Sequence, residues 1–599
     1  MPGYDAPTTD MAFTLKEIVG IDDLAKLPAF ADVGLEAVPD ILEEAARFFA
    51  EVIAPTNRIG DTVGSQRNDD GTVTTPEGFK EAYEQYVAAG WGAMSFDPEY
   101  GGGGFPWVVG IAVSEMMTAA NMALSLNPLL TQGAIHALYA HGDDDQKNTW
   151  LPKLISGEWT GTMNLTEPHA GSDVGALTSK AEPQDDGTYL ISGQKIFITW
   201  GEHDMADNIV HLVLARTPGA PPGTRGISLF IVPKFILDAD GTPGERNDVQ
   251  CVSIEHKMGI HGSPTCVLQF GDNGGAVGYL IGEENAGMRY MFTMMNQARL
   301  AVGLEGPALA DRSYQQALEY SQERRQGRRP DTPKGEYAPI IEHPDVRRML
   351  MTMKANIEAT RALTYLNAYG VDVAHHHPDA DGRQAGQELT DLLTPLTKAW
   401  GTDIGNEMTS IGVQVHGGMG YIEETGSAQH YRDIRIGAIY EGTNGIQAMD
   451  LVGRKLPMRD GGAIEDLAGQ MGETVASLRH AGMTETADRL EYATSDMRSI
   501  SRWLLEKGAA TTDDGIAGAA PYLRLVATTV GAWLLAKGAL AAHRLLAEGD
   551  TTYPAEYLEA KIVTARFFAT QLLPSVHGFL PTIQAGAADL FAIEPGFLR

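Results

Sequence analysis

The sequence contains little cysteine and too few basic residues to balance its acidic ones. Only Cys251 and Cys266 occur among 599 residues, so a disulfide framework is excluded, although one bridge is not. Both lie near predicted strands, where buried thiols are expected. Lys and Arg total 45 against 78 Asp and Glu, which gives a net charge of −33. That balance disfavours a nucleic-acid ligand and disfavours docking on anionic lipid, since both need a basic face.

Targeting and membrane signals are also scarce. The N-terminus lacks a basic region followed by an apolar one, so no signal peptide is predicted. The longest apolar run, near Leu525 to Ala536, is interpreted as too short to span a bilayer. The chain has no Walker loop, no Rossmann glycine fingerprint after a strand and no Gly-x-Ser-x-Gly elbow. We therefore expect an acidic, soluble, cytoplasmic protein with no membrane partner.

Helical and β-rich patterns follow one another along the chain. Ile41, Ala45, Phe48 and Phe49 recur at helical spacing, whereas Ile209–Ala215 is an apolar run typical of a buried strand. The pattern predicts a mainly α-helical protein with a central β domain. The predicted segments are an arm over residues 1–37, a helical domain over 38–159, a β domain over 160–283, a helical bundle over 284–457 and an extra helical domain over 463–599.

Local signals predict the details within these segments. The residues around Met11 are expected to add a short strand or a turn of helix to the arm. Tyr189–Ser192 is predicted as a strand that ends in a turn at Gly193. A His-rich loop over Ala374–Arg383 is expected to interrupt a helix pair, and a polar break near Arg459–Gly462 precedes the last helical block.

Three short motifs carry most of the functional information. Thr166–Asp173 reads TEPHAGSD, Gln414–Tyr421 reads QVHGGMGY, and Tyr440–Gln447 reads YEGTNGIQ. The last motif places one carboxylate, Glu441, between an aromatic residue and a glycine. Each motif alone has an ordinary interpretation: a surface loop, a turn between helices, and a carboxylate that caps a helix starting near Thr443. Their order and spacing together make the signal specific.

In this order the three motifs resemble those of the acyl-CoA dehydrogenase family. The resemblance covers roughly residues 38–455 and implies a helical domain, a β-barrel-like domain and a four-helix-bundle domain. The extra C-terminal block and the opening, Tyr4–Pro7 followed by Asp10–Phe13, resemble a long bacterial subfamily that includes the 3-methylmercaptopropionyl-CoA dehydrogenases. The resemblance implies bound FAD and α,β-desaturation of an acyl-CoA thioester to the trans-2-enoyl-CoA.

Glu441 matches the family's catalytic base, which takes the α-proton while N5 of FAD accepts the β-hydrogen as hydride. The α-proton is too weakly acidic for a free carboxylate, so the site must stabilise the thioester oxygen and exclude water. Gly442 matches a position that permits close approach of the thioester. Some members carry the base on an earlier helix, just before an arginine. Ala298 occupies that position here and cannot act as a base.

The resemblance also assigns residues to the cofactor and to the substrate. Phe197 stands where an indole is more usual, which keeps an aromatic face and loses a donor. Taken alone, Phe197–Thr199 is an ordinary core strand. The residues assigned to FAD are Met163, Leu165, Thr166, Ser172, Phe197, Ile198, Thr199, Arg324, Gln414, Val415, His416, Gly417, Gly418, Thr443 and Asn444. The residues assigned to acyl-CoA are Ser172, Asn296, Arg299 and Gly442.

Some of these positions have a competing structural interpretation. Arg324 matches an arginine that reaches the FAD pyrophosphate of a neighbouring subunit, but a solvated basic helix end is equally compatible with the sequence. Asn296 and Arg299 are also compatible with a solvated helix face. The run His375–His377 lacks the usual ligand spacing, so no metal site is expected.

The function predicted from the resemblance is a FAD-dependent acyl-CoA dehydrogenase that passes electrons to an electron-transfer flavoprotein. Its substrate is expected to be 3-methylthiopropanoyl-CoA or a medium- or long-chain acyl-CoA. Flavin contacts from two subunits imply a homodimer or a dimer of dimers, with no nucleic-acid partner. Two alternatives stay open: an acyl-CoA oxidase that uses oxygen, and a catalytically degenerate scaffold. The sequence does not reveal the acyl-chain length.

Overall fold

The computed structural model describes residues 3–330, 332–508 and 511–599. The chain divides into two compact units. The first unit comprises residues 1–46, 106–115 and 302–599, and the second comprises residues 47–105 and 116–301. The prediction of a mainly α-helical protein with a central β domain is confirmed.

Helices account for most of the described chain. They are α1 (Thr8–Phe13), α2 (Val38–Phe48), α3 (Thr56–Thr62), α4 (Phe79–Ala88), α5 (Trp107–Ala120), α6 (Met122–His141), α7 (Asp144–Ser156), α8 (Gly287–Glu323), α9 (Pro344–His376), α10 (Ala380–His416), α11 (Ser427–Ile434), α12 (Asn444–Asp450), α13 (Gly462–His480), α14 (Thr484–Glu506), α15 (Asp513–Ala517), α16 (Ala519–Glu548), α17 (Ala555–Phe567) and α18 (Phe579–Gln584). Short 3-10 and π-helical turns connect several of them.

The strands of the described chain lie in the second unit. They are β1 (Gln66–Arg67), β2 (Val73–Thr74), β3 (Trp159–Asn164), β4 (Lys180–Pro183), β5 (Tyr189–Thr199), β6 (Asn208–Ala215), β7 (Ser228–Pro233), β8 (Phe235–Leu237), β9 (Pro243–Arg246), β10 (Val249–Ile254), β11 (Thr265–Phe270) and β12 (Ala276–Leu280). The main sheet has the order β10-β11-β5-β12-β7-β6-β3, with β4 paired to β5. Its pairs are antiparallel except β3 with β6.

Strand β5 joins two parts of this sheet. Its first residues pair with β4 and β12, and the stretch from Gly193 to Thr199 pairs with β11. The predicted turn at Gly193 is wrong, because Gly193 is paired with Phe270 inside a continuous strand. The residue is glycine for a steric reason: its φ is +141°, and a Cβ there would lie 2.4 Å from Ser179 Oγ.

The core of the second unit is built on the inner strands of the sheet. Every residue of β6 and β7 is buried, as their continuous apolar runs predict. Phe230 and Phe270 pack with both cysteines in this core. Cys251 and Cys266 are free, buried thiols, as predicted.

The apolar run near Leu525–Ala536 belongs to α16, a helix of 30 residues. That helix is long and apolar enough to cross a membrane, so the prediction that the run is too short is wrong. In the structure 89% of its most apolar 18-residue window is buried within the protein. Within the first unit α16 packs against α9, α10 and α14, which makes it a core helix.

In the first unit, one connection is shorter than predicted and another lies where it was predicted. Helix α9 continues through His376 and α10 starts at Ala380, so the predicted His-rich loop shrinks to residues 377–379. The predicted polar break precedes α13, where Arg459 and Asp460 have positive φ angles. At the N-terminus, Met11 and Phe13 are fully buried in a turn of helix.

Candidate functional site

The candidate base, Glu441, lies on a strained turn of the first unit. The turn follows a short 3-10 helix over Arg435–Ala438 and precedes α12. Glu441 has a φ of +53° and Gly442 a φ of +80°, so two consecutive residues occupy the left-handed region. For a residue with a side chain that conformation is unfavourable, and it persists only where neighbouring contacts enforce it. The strain therefore marks Glu441 as a functional candidate.

Contacts on the α12 side of the turn hold this conformation. Thr443 Oγ1 accepts a hydrogen bond from Ile446 N at 3.2 Å and so caps α12. The buried Gln447 donates from Nε2 to the carbonyl oxygens of Glu441 and Gly442, at 3.3 Å each. The predicted helix start is confirmed, but the interpretation of Glu441 as its capping carboxylate is wrong.

Asn444 is engaged by side chains of its own subunit. Its Oδ1 accepts from Lys398 Nζ at 2.9 Å, and its Nδ2 donates to Asp403 Oδ1 at 2.7 Å and to Ala399 O at 3.1 Å. Burial raises the pKa of Asp403, and the hydrogen bond from Asn444 opposes that rise. These contacts fasten α12 to α10 and fix the helix that begins just after Glu441.

A buried carboxyl that the motifs did not single out lies beside the same turn. Glu305 on α8 is fully buried and accepts a hydrogen bond from the Tyr440 hydroxyl. Burial raises the pKa of Glu305 to about 8; the Tyr440 hydrogen bond and Lys398 oppose the rise, and the charge of Glu441 adds to it. Glu305 is therefore mostly protonated at neutral pH. The sequence signal for it is a lone acid inside the apolar run of residues 300–310.

In the second unit, the first motif packs beside the later half of β5. Thr166 O accepts from Ile196 N at 2.9 Å. Lys195 Nζ donates to Leu165 O at 3.1 Å and to Glu167 Oε1 at 2.9 Å. The structure thereby brings the predicted cofactor residues Leu165 and Thr166 next to the strand that carries Phe197–Thr199.

The glutamate of the first motif, Glu167, has a structural role. It accepts hydrogen bonds from the backbone N–H groups and hydroxyls of Thr178 and Ser179, at 2.6 to 3.1 Å. Burial alone would raise the pKa of Glu167, but Lys195 and these hydrogen bonds lower it to about 2. Glu167 is thus a buried, ionised anchor that orders the loop.

The aromatic residue of the β5 segment points out of the protein core. Phe197 has a φ of +58° and is 59% exposed, whereas Ile198 is buried and Thr199 is partly buried. The next residue, Trp200, also has a positive φ and is fully buried. The core-strand interpretation therefore holds for Ile198 and is wrong for Phe197, whose ring is available to a ligand.

The residues assigned to acyl-CoA on α8 differ in burial. Asn296 is exposed, whereas Arg299 is only 4% exposed. The interpretation of Arg299 as part of a solvated helix face is wrong. Ala298, at the alternative base position, is buried and carries no ionisable group. Ser172 is exposed on the loop before the turn that Asp173 caps.

The remaining assigned positions lie in the first unit. Arg324 is exposed immediately after α8 ends. Gln414, Gly417 and Gly418 are exposed where α10 gives way to a 3-10 turn, and a Cβ at either glycine would meet open space. His416 is buried: its Nδ1–H donates to Gly412 O at 2.7 Å, and burial lowers its pKa.

The chain belongs to the acyl-CoA dehydrogenase family, as the motifs predict. Residues 37–158, 162–273 and 285–456 match the N-terminal, middle and C-terminal domains of acyl-CoA dehydrogenase. Residues 467–594 match the region described as acetyl-CoA dehydrogenase C-terminal like. The protein is therefore an oxidoreductase of a flavin-dependent family.

Individual relatives span nearly the whole chain. A 3-methylmercaptopropionyl-CoA dehydrogenase of Ruegeria pomeroyi is 48% identical over 95% of this chain and 96% of its own length. A butyryl-CoA dehydrogenase of Syntrophomonas wolfei is 36% identical over 99% of this chain and 98% of its own length. The solved acyl-CoA dehydrogenase of Bacillus anthracis complexed with FAD has the same fold, with a TM-score of 0.74 and 21% identity over 98% of this chain and 92% of that one. The predicted long-subfamily architecture is confirmed.

Proposed function

We propose that the protein is a FAD-dependent acyl-CoA dehydrogenase that converts an acyl-CoA thioester to its trans-2-enoyl-CoA, with Glu441 as the base. The observation that carries the proposal is the strained backbone at Glu441, inside the YEGT motif of a chain that is 48% identical to an acyl-CoA dehydrogenase. A side chain is held in the left-handed region at the predicted base position. The energetic cost of this backbone conformation is explained if the carboxylate must be held in one orientation toward the α-proton of the substrate.

The donor set fits FAD. Half-buried hydroxyls at Thr166 and Thr199 and the exposed ring of Phe197 lie on segments of one unit, which suits a planar ring with polar edges. The open space above Gly417 and Gly418 suits a phosphate that approaches the main chain. Bound FAD supplies the acceptor for the β-hydrogen. We assign Met163, Leu165, Ser172, Ile198 and the exposed Arg324 to its surroundings as well.

The protein's own part in the reaction is to orient the substrate and to move one proton. Glu441 accepts the α-proton on its carboxylate, and Gly442 leaves room for the thioester beside it. Bound acyl-CoA would exclude water from the Glu441 carboxylate, and a carboxylate that loses its hydration accepts a proton more readily. Asn296 and Arg299 are assigned to the acyl-CoA.

The substrate class we propose is a short acyl-CoA, with 3-methylthiopropanoyl-CoA as the first candidate. The support is the extent of similarity to the Ruegeria pomeroyi relative, which covers the extra C-terminal block as well as the catalytic segments.

We propose an electron-transfer flavoprotein as the electron acceptor. A homodimer or dimer of dimers is proposed because Arg324 and Gln414 are exposed and Gly417 and Gly418 leave the main chain open. We propose a cytoplasmic location for this acidic chain.

Anaerobic addition of acyl-CoA thioesters to the FAD-loaded protein tests this function. The panel runs from propionyl-CoA and 3-methylthiopropanoyl-CoA to palmitoyl-CoA, and flavin absorbance is followed by rapid mixing. We expect bleaching, fastest with 3-methylthiopropanoyl-CoA. A full complement of FAD that no thioester bleaches would overturn the proposal and favour a degenerate scaffold. Peroxide formation in air over many turnovers, at the rate of flavin reduction, would identify an oxidase.

Replacing Lys195 with methionine is expected to weaken FAD binding by about tenfold or more. The substitution removes charge-assisted hydrogen bonds to Leu165 O and Glu167, each typically worth about 1.5–3 kcal/mol. It also leaves Glu167 buried without its cation, so the loop that follows β3 and contains Thr166 should lose its fixed position. Flavin fluorescence quenching measures the dissociation constant.

The matched control is Lys180→Met on β4, where the lysine is exposed. That variant should bind FAD as the wild type does. Equal FAD affinity in the Lys195 and Lys180 variants would show that the buried pair does not organise the cofactor segment.

A further inference from the structure

The Tyr440 side chain connects the strained turn to the interior of the first unit. Tyr440 directly precedes Glu441, and its hydroxyl donates a hydrogen bond to Glu305 on α8. Glu305 is 135 residues away in sequence and fully buried. The contact therefore anchors the residue before Glu441 to a helix that is not otherwise part of the turn.

The turn needs anchoring at both ends because its backbone is strained. Gln447 holds the carbonyl groups of Glu441 and Gly442 from the α12 side. On the other side, Tyr440 is held through its hydroxyl. A left-handed residue relaxes unless the surrounding structure over-determines it, so loss of either anchor should let the Glu441 carboxylate move.

The buried acceptor of the Tyr440 hydroxyl is the carboxyl group of Glu305. Among the residues that the structure describes, Glu305 Oε2 has no hydrogen-bond partner, and a Cβ on Gly437 would lie 3.4 Å from that oxygen. The charged and titratable groups that act on Glu305 are Tyr440, Lys398 and Glu441. Because burial raises its pKa to about 8, Glu305 at neutral pH offers a neutral acceptor and adds no second negative charge beside Glu441.

We propose that Glu305 is a positioning residue for proton abstraction, acting through the Tyr440 hydroxyl to fix the aim of the Glu441 carboxylate. This inference rests on the proposed function, since it assigns Glu305 a part in the same step. Glu305 does not itself exchange a proton with the substrate. The positioning role requires only an acceptor oxygen within hydrogen-bond distance of the Tyr440 hydroxyl, and the amide of a glutamine also provides one.

The test compares Glu305→Leu, Tyr440→Phe, the double variant and Glu305→Gln as FAD-loaded proteins. Flavin reduction is measured per bound FAD with 3-methylthiopropanoyl-CoA and with its α-deuterated form. Misplacement of a reacting group by about 1 Å typically lowers a rate by about 100-fold, so we expect the leucine and phenylalanine variants to be slowed by roughly 10- to 100-fold. Glu305→Gln should lose far less, because its Oε1 still accepts from Tyr440.

Two readouts separate positioning from a general loss of structure. The deuterium isotope effect should rise in the slow variants, because proton abstraction limits the rate more strongly, and the double variant should be no slower than either single one. The control is Asp372→Asn, which changes another buried acid of the first unit, one that accepts from Trp107 N and Val108 N. It should leave the isotope effect and the rate per bound FAD unchanged.

The outcomes are distinguishable. An unchanged rate and isotope effect in Glu305→Leu, or fully multiplicative losses in the double variant, would overturn the inference while the wild type still turns over. A Glu305→Gln variant as slow as Glu305→Leu would also overturn it, since the acceptor oxygen would then not be what matters. Absence of flavin reduction in the wild type would overturn the proposed function and the inference with it.

Discussion

Glu441→Gln is expected to lower the rate of flavin reduction by about 10²- to 10⁴-fold, the usual contribution of a positioned general base. The amide has nearly the same size as the carboxylate, so the turn and its contacts to Gln447 should persist. It cannot accept the α-proton, however, and Ala298 at the alternative base position offers no substitute. FAD binding should be unaffected, because none of the proposed cofactor contacts involves this carboxylate.

Rapid-mixing kinetics with the best thioester of the panel measure the effect, and the flavin spectrum confirms that FAD is bound. Glu424→Gln, an acid-to-amide change at an exposed residue of the same unit, is the matched control and should reduce at the wild-type rate. A Glu441→Gln protein with wild-type activity would remove Glu441 from the mechanism. The catalytic base of this family member would then still have to be located.

The second large effect concerns stability and is expected at Asp10. Its Oδ2 accepts from Arg361 Nη1 at 2.7 Å, and its Oδ1 accepts from Lys561 Nζ at 2.7 Å and from Tyr557 OH at 2.9 Å. Burial alone would raise the pKa of Asp10, but the two cations hold it far below its usual range. Asp10 therefore joins α1, α9 and α17 through one ionised carboxylate.

Asp10→Asn should destabilise the first unit by up to about 3–5 kcal/mol, since it removes the anion that two buried cations share. Arg361 then keeps Glu115 as a close carboxylate partner, and Lys561 keeps Glu358. For a unit of this size that corresponds to a fall in Tm of roughly 4–7 °C. The effect should be present at pH 7 and shrink as the pH falls: the folded pKa of Asp10 is lowered, so its stabilisation exists above the unfolded pKa of about 3.9 and is lost below it.

Calorimetry on the wild type and the variant measures this difference. The control is Glu548→Gln, which breaks an exposed ion pair with Arg544 at 2.9 Å on α16. Exposed pairs contribute less than about 1 kcal/mol, so this variant should melt within about 2 °C of the wild type. Equal Tm values for the Asp10 and Glu548 variants would mean that the buried cluster does not hold the three helices together.

Several elements follow from local sequence alone. The apolar runs of β6 and β7 predict buried strands because both faces of each strand are apolar, and the structure buries every residue of both. The helix start after Glu441 is predicted by the small polar residues of the motif, and Thr443 caps it. The family assignment rests on three motifs whose order the chain preserves over most of its length.

Other features could not be predicted because they depend on residues far apart in the chain. Gly193 has the local signal of a turn, but pairing with Phe270 keeps it inside a strand. Phe197 has the pattern of a core residue, and its left-handed backbone turns it outward instead. The apolar run of α16 has no periodicity that distinguishes a membrane span from a helix buried on all sides, and packing alone decides between them.

The sequence by itself determined the fold class, the family and the identity of the candidate base, because these depend on residue types at fixed local spacing. Only the tertiary structure decided how that base is held. Glu305 meets Tyr440 across 135 residues, and Asp10 meets Lys561 across 551. No local pattern encodes such pairs, since the protonation and energy of a buried acid depend on which groups the fold brings within a few ångströms of it.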